Sequence, residues 1–146
     1  MNAIVTRDPQ RIDVGLAVIR VIVGLVFIAH GCQKLFMMGL GPVTAGFTQM
    51  GIPLPAITAP LVVFVELLGG IALVLGLLTR LAALGLAIDM VGAILLVHLK
   101  NGFFLPTGFE FPLLLLVICI AIMIAGPGRF AIDDAIAARR RPVTAP

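Results

Sequence analysis

Cysteine is scarce in this chain: Cys32 and Cys119 are the two, each inside an apolar stretch and with no C-x-x-C spacing. That excludes a disulfide framework and argues against a tetrahedral thiolate metal site. Charge is scarce too, at 12% of residues against about 25% in soluble domains. The net charge of +3 comes from arginines beside hydrophobic ends, with no basic face interleaved with aromatics, so nucleic acid is not an expected partner. No small-x-small cleavage site follows the first apolar run, and Ala29-His30-Gly31-Cys32 is a poor lipoprotein-type site, so that run is expected to be retained. No flavin, haem or iron–sulfur motif is visible. Two histidines alone argue against a metal site.

Hydrophobic residues fill the space left by these absences. They make up 61% of the 146 residues and the mean hydropathy is +1.21, whereas soluble chains use about 45–50%. The composition implies an integral membrane protein with one domain and no soluble lobe. The expected fold is all-α, a four-helix transmembrane bundle over residues 14–126, with a polar tail at 1–13 and a basic tail at 127–146. Spans are predicted at 14–37, with Asp13 as N-cap, then 57–78, 81–99 and 111–125. Between the first two, the uncharged Gly/Pro-rich stretch 38–55 is expected to hold a short interfacial helix that Pro42 starts and Gly51 stops. Thr79 and Arg80 form the whole connection between spans two and three, which must therefore be antiparallel neighbours. Arg7, Arg11, Arg80 and Arg129, with Arg139, Arg140 and Arg141, fall on one side of this arrangement, and Lys34 and Lys100 on the other. Both termini are thus expected in the cytoplasm of a multi-pass protein.

Polar groups inside the spans are the candidate functional residues, since a charge there normally faces a partner or a wet cavity. Glycines spaced seven apart, Gly24/Gly31, Gly69/Gly76 and Gly85/Gly92, are expected to bring helix backbones close together. At about 1.5 Å per residue, Arg20 lies roughly 9 Å from the cytoplasmic end, Asp89 roughly 13 Å and Glu66 roughly 18 Å, so the three can share a layer. Arg20 is expected to pair with Glu66, with Asp89 as competitor or third member. One reading is an ion pair that fixes helix register; the other is that Glu66 takes up or releases a proton beside a bound ligand. His30, Gln33, Lys34, His98 and Asn101 lie nearer the outer surface. His30 suits proton transfer or a quinone carbonyl, whereas Lys34 and Lys100 suit snorkelling. Cys32 neighbours His30 and Lys34, which would favour a thiolate. On a straight helix His98 points away from Asp89, so the two would not both face the centre.

Several ordered motifs carry a family likeness: Arg20 followed by AHGCQKLF (29–36), GIPLP (51–55), VELLGG (65–70), LLTRLA (77–82), VHLKNGFF (97–104) and GPGRF (126–130). Together they resemble the DoxX family over nearly all of the chain from the first span onward. The resemblance implies a compact four-helix protein of the prokaryotic plasma membrane with redox chemistry, passing electrons from a small sulfur compound such as thiosulfate or a thiol to quinone. Carried over by position, Arg20, His30, Gln33, Lys34, Glu66, His98 and Asn101 fall on the family's polar positions, and Asp89 departs from its pattern. On this reading Glu66 and His30 are the catalytic pair and the remaining five bind ligand. The alternatives are a non-catalytic anchor that assembles with a soluble oxidoreductase or with itself, and a small-solute transporter.

Overall fold

In a computed structural model, which describes residues 8–140, the chain is a bundle of helices with no strand among the described residues. The first helix, α1, spans Pro9–Cys32 and runs on into a π-helical segment, Gln33–Met38. It starts one turn earlier than expected, because Asp8 is the N-cap: its carboxylate accepts from the Gln10 amide at 3.0 Å, and Pro9 fits the first helical position. Asp13 instead accepts from the Arg129 amide, tying the chain's last quarter to α1. A short α2, Leu40–Gln49, follows Gly39 and ends before Gly51, as the Gly/Pro pattern implies.

The second long helix, α3, covers Pro55–Leu75, and α4 begins immediately at Thr79 and runs to Gly92. α4 continues through a second π segment, Ala93–His98, and a 3-10 turn, Leu99–Asn101. The loop 102–109 leads to α5, Glu110–Ala125, and α6, Ile132–Arg139, closes the described chain. Among the described residues three helical stretches are long and apolar enough to cross a membrane: Pro9–Met38, Pro55–Leu75 and Thr79–Asn101. α5, shorter and apolar throughout after Glu110, completes the four-helix bundle. Sequence-adjacent helices pack side by side, α1 on α3, α3 on α4 and α4 on α5, with α1 and α5 closing the ring. Exposed Leu, Ile, Val and Phe side chains cover the outside, as a lipid-facing surface requires. The expected orientation rests partly on Arg7 and Arg141, which lie outside the described residues.

Glycine contacts set the register between α1 and α3. A Cβ at Gly24 would stand 2.7 Å from the Gly70 carbonyl oxygen, and one at Gly70 would stand 2.7 Å from that of Gly24. A Cβ at Gly31 would meet the Leu67 backbone at 2.9 Å. Backbones that approach this closely admit only one alignment, and it places Arg20 beside Leu73 and Lys34 beside Glu66. The other expected glycine pairs behave differently. Gly69 meets Leu86 of α4, and Gly76, at φ +67°, caps the C-terminus of α3. Gly92 has open space where a Cβ would be and Gly85 an ordinary contact, so these two leave room instead of packing.

Candidate functional site

Two polar networks occupy opposite ends of the bundle, and the expected Arg20–Glu66 pair does not form. Arg20 is 2% exposed and belongs to the end that α6 closes, the inner end in the expected orientation. Its guanidinium donates to the Leu73 carbonyl oxygen at 3.0 Å and to that of Phe130 at 2.5 Å. The α1–α3 alignment imposes this choice, because it sets Glu66 about two helical turns further out. Asp133 completes the inner network by accepting from the Leu78 and Thr79 amides, both at 2.8 Å, and so caps α4 from α6. Burial pushes the Asp133 carboxyl up, but the hydrogen bonds from Thr79 and Leu78 and the charge of Arg20 outweigh it and hold its pKa below the usual carboxylate value. Arg20 lines neither of the cavities described below.

The opposite end, beneath the loop 102–109, holds the cavities. Lys34 Nζ donates to Glu66 Oε1 at 2.5 Å, and the Glu66 side chain is 4% exposed. One cavity, about 400 Å³, lies between α3 and α4 beneath α2; a second, about 310 Å³, lies inside the bundle beneath the loop 102–109. Lys34, Glu66, Met90, Ala93 and His98 line both, so the ion pair is part of their common wall. Asp89 lines the first. Glu66 Oε2 and Asp89 Oδ2 are buried and have no hydrogen-bond partner among the described residues, a costly state for carboxylate oxygens.

His98 reaches the same wall because the end of α4 is not a straight α-helix. The π segment Ala93–His98 closes its hydrogen bonds over a wider turn, each residue rotates less about the axis, and His98 no longer points away from Asp89. Its Nδ1 lies 2.8 Å from the Thr107 carbonyl oxygen. That oxygen can only accept, so Nδ1 carries the hydrogen and Nε2 keeps its lone pair in the neutral ring. Gln33 and Lys34 open the matching π segment at the end of α1.

The remaining expected site residues divide. His30 lines the inner cavity, its ring centroid 6.1 Å from that of Phe111. Gln33 is exposed and lines neither cavity, a consequence of its facing away from Lys34 and the α3 contact. Asn101 is exposed and donates to the Thr107 and Val97 carbonyl oxygens at 3.2 and 3.4 Å, which makes it a loop fastener. Lys34 does not snorkel, since it is held by Glu66. Glu110, also in the loop region, accepts from the Leu105 amide at 2.8 Å. Among the described residues no three His, Cys, Asp or Glu side chains are grouped as metal ligands.

A family model described as DoxX matches residues 15–99, from α1 through the wall that holds Lys34, Glu66 and His98. The chain belongs to the DoxX family. Among curated relatives of this DoxX protein, an uncharacterized membrane protein of Mycobacterium tuberculosis, Rv3486, is 40% identical over 83% of this chain and 80% of its own. The Bacillus subtilis protein named Putative oxidoreductase CatD is 33% identical, covering 83% of this chain and 86% of its own. An uncharacterized protein of Haemophilus influenzae is 32% identical, covering 82% and 88%. No solved structure matches this DoxX chain significantly.

Proposed function

We propose that this DoxX protein is a membrane redox protein that holds a quinone or similar lipophilic carbonyl compound against the Lys34–Glu66 pair and passes it electrons from a small sulfur compound. One observation carries the reading: an ion pair whose carboxylate is buried forms the wall between two cavities, and one oxygen of that carboxylate and one of Asp89 have no partner among the described residues. A structural pair would be expected to sit in closed packing. The residues suit such a ligand: Lys34 Nζ can donate to a ring oxygen, apolar side chains surround it, and both cavities fall in or near the range of small-molecule sites, about 300–1,000 Å³. The name of the Bacillus subtilis relative supports redox chemistry.

A bound quinone supplies the acceptor for two electrons and two protons. Glu66, whose Oε1 is held by Lys34, has Oε2 free to pass a proton, and His98 Nε2 offers a lone pair on the same wall. When two thiosulfate ions join through a new sulfur–sulfur bond they release the two electrons, and the two protons come from solvent through the protein. Two thiols that form a disulfide release both electrons and both protons. Arg80, Arg129 and Arg139 support, on the positive-inside rule, a cytoplasmic α6 end in a prokaryotic plasma membrane and an outward-facing loop 102–109.

Quinone reduction by the purified protein in lipid discs, with thiosulfate, sulfite and small thiols as donors, tests the proposal. Glu66→Gln is expected to lower the rate about 10²-fold or more, the scale of a lost acid–base group. No reduction with any donor, in protein shown to be folded, would sink it and favour an anchor whose partner oxidoreductase carries the electrons.

A further inference from the structure

The cavities on either side of the Lys34–Glu66 pair differ in what bounds them. The lateral one opens between α3 and α4, and its lining residues Leu61, Ile88 and Leu96 are also among the exposed large hydrophobics, so it meets the lipid-facing surface. The inner one is lined by Leu105, Pro106 and Gly108 of the outer loop and by both histidines. Asp89 lines only the lateral cavity, where it joins Glu66. The wall leaves room there, since a Cβ at Gly92, which lines the cavity, would meet nothing within 4 Å.

The two orphaned atoms have a chemical preference. While the two groups are ionised their oxygens only accept hydrogen bonds, so a ligand that relieves Glu66 Oε2 and Asp89 Oδ2 in that state must donate. A quinone carbonyl cannot do so, whereas the hydroxyls of the reduced ring can. We infer that the lateral cavity is the seat of the ring compound and binds its dihydroxy form more tightly. The hydroxyls donate to Glu66 and Asp89, and the apolar chain leaves between α3 and α4 into lipid. The inner cavity, under the loop, is then left to the water-soluble electron donor. This rests on the reading above that the ligand is a quinone.

The chain contains neither tryptophan nor tyrosine, so one introduced tryptophan reports its own surroundings. Leu96→Trp marks the lateral cavity and Leu105→Trp the inner one, both at exposed positions; Ile88→Trp is a second lateral reporter should Leu96→Trp fail to fold. Decylubiquinone, which quenches tryptophan, is titrated without any donor in lipid discs, and decylubiquinol is measured by displacement under anaerobic conditions. The expected result is saturable quenching at the lateral reporter and none at Leu105→Trp. Decylubiquinol should bind about tenfold tighter than decylubiquinone, the size of a hydrogen bond to a charged acceptor. Asp89→Leu should shrink that preference, and Gly92→Leu, which fills the cavity, should weaken both ligands.

Quenching at Leu105→Trp alone, equal affinity for the two ring forms, or indifference to Gly92→Leu overturns the assignment. So does an absence of saturable quenching at either lateral reporter, the outcome if a lipid acyl chain fills the space permanently. Saturable lateral quenching without turnover on any donor leaves the seat standing and removes the redox reading. Turnover without lateral quenching does the opposite.

Discussion

Lys34 and Glu66 are unequally wet, with side chains 24% and 4% exposed, and the two halves of the pair should fail differently. Glu66→Leu leaves a lysine that can swing its ammonium outward along its flexible stem. Lys34→Met leaves a carboxylate with no counter-charge, and breaking a buried pair in this way costs about 3–5 kcal/mol. Lys34→Met is therefore expected to lower the unfolding temperature more than Glu66→Leu, and the double variant should recover most of the loss. Labelling of the buried Cys119 thiol on heating measures it. Asp133 behaves as a depressed carboxylate. Its contribution is present above the unfolded-state pKa of about 3.9 and is lost as pH falls through its lower folded value. Asp133→Ala, which removes a cap on α4, is expected to cost about 0.5–2 kcal/mol near neutrality. The difference in unfolding temperature between parent and variant should close under strong acid; a difference unchanged down to that range would contradict the assignment. Thr58, which lines the first cavity, was not legible in the sequence as an intramembrane oddity, whereas Lys34, Glu66, Asp89 and His98 were. Their partners were not, because periodicity gives the face a residue takes and says nothing about the axial slide between two helices.

At the scale of elements, that slide is set by glycines, and the sequence showed the candidates without their ranking. Seven-residue spacing marks Gly24, Gly31, Gly69, Gly76, Gly85 and Gly92 alike, yet only some meet a backbone. Gly70→Ala is expected to destabilise the bundle, because its Cβ would stand 2.7 Å from the Gly24 carbonyl oxygen and neither backbone can yield without moving a helix. Gly92→Ala should leave the stability unchanged within about 0.5 kcal/mol. Gly76→Ala should be worse than either, since it combines φ +67° with a collision against the Arg20 guanidinium and Ala131. Thermal unfolding of the three variants ranks them directly. The π segments were not legible at all: QKLFMM and AILLVH are ordinary helical sequences, and nothing local distinguishes an i→i+5 turn from an i→i+4 turn. Their effect on the site is large, since π turns concentrate at functional positions and one of these brings His98 toward Asp89.

For the whole molecule, the four-helix membrane bundle followed from hydropathy and turn chemistry, because apolar runs and Gly/Pro breaks each act locally. The closure of its inner end did not, since it joins residues more than fifty positions apart. Orientation is tested by impermeant thiol labelling of Arg139→Cys and Thr107→Cys in intact cells, with reaction expected only at the second. Inner-end closure also bears on how the protein is made. Arg20 enters the bilayer with a helix that is made well before its acceptors, which belong to residues 73 and 130. For most of translation the guanidinium is a charge without its final hydrogen bonds, and the early helices have reason to stay loosely inserted or shielded. Ending the chain at Pro127 would make that condition permanent, and such a product is expected to be degraded, whereas ending it at Arg139 should yield stable protein. A later-made segment thus decides whether an earlier-made helix remains in the membrane.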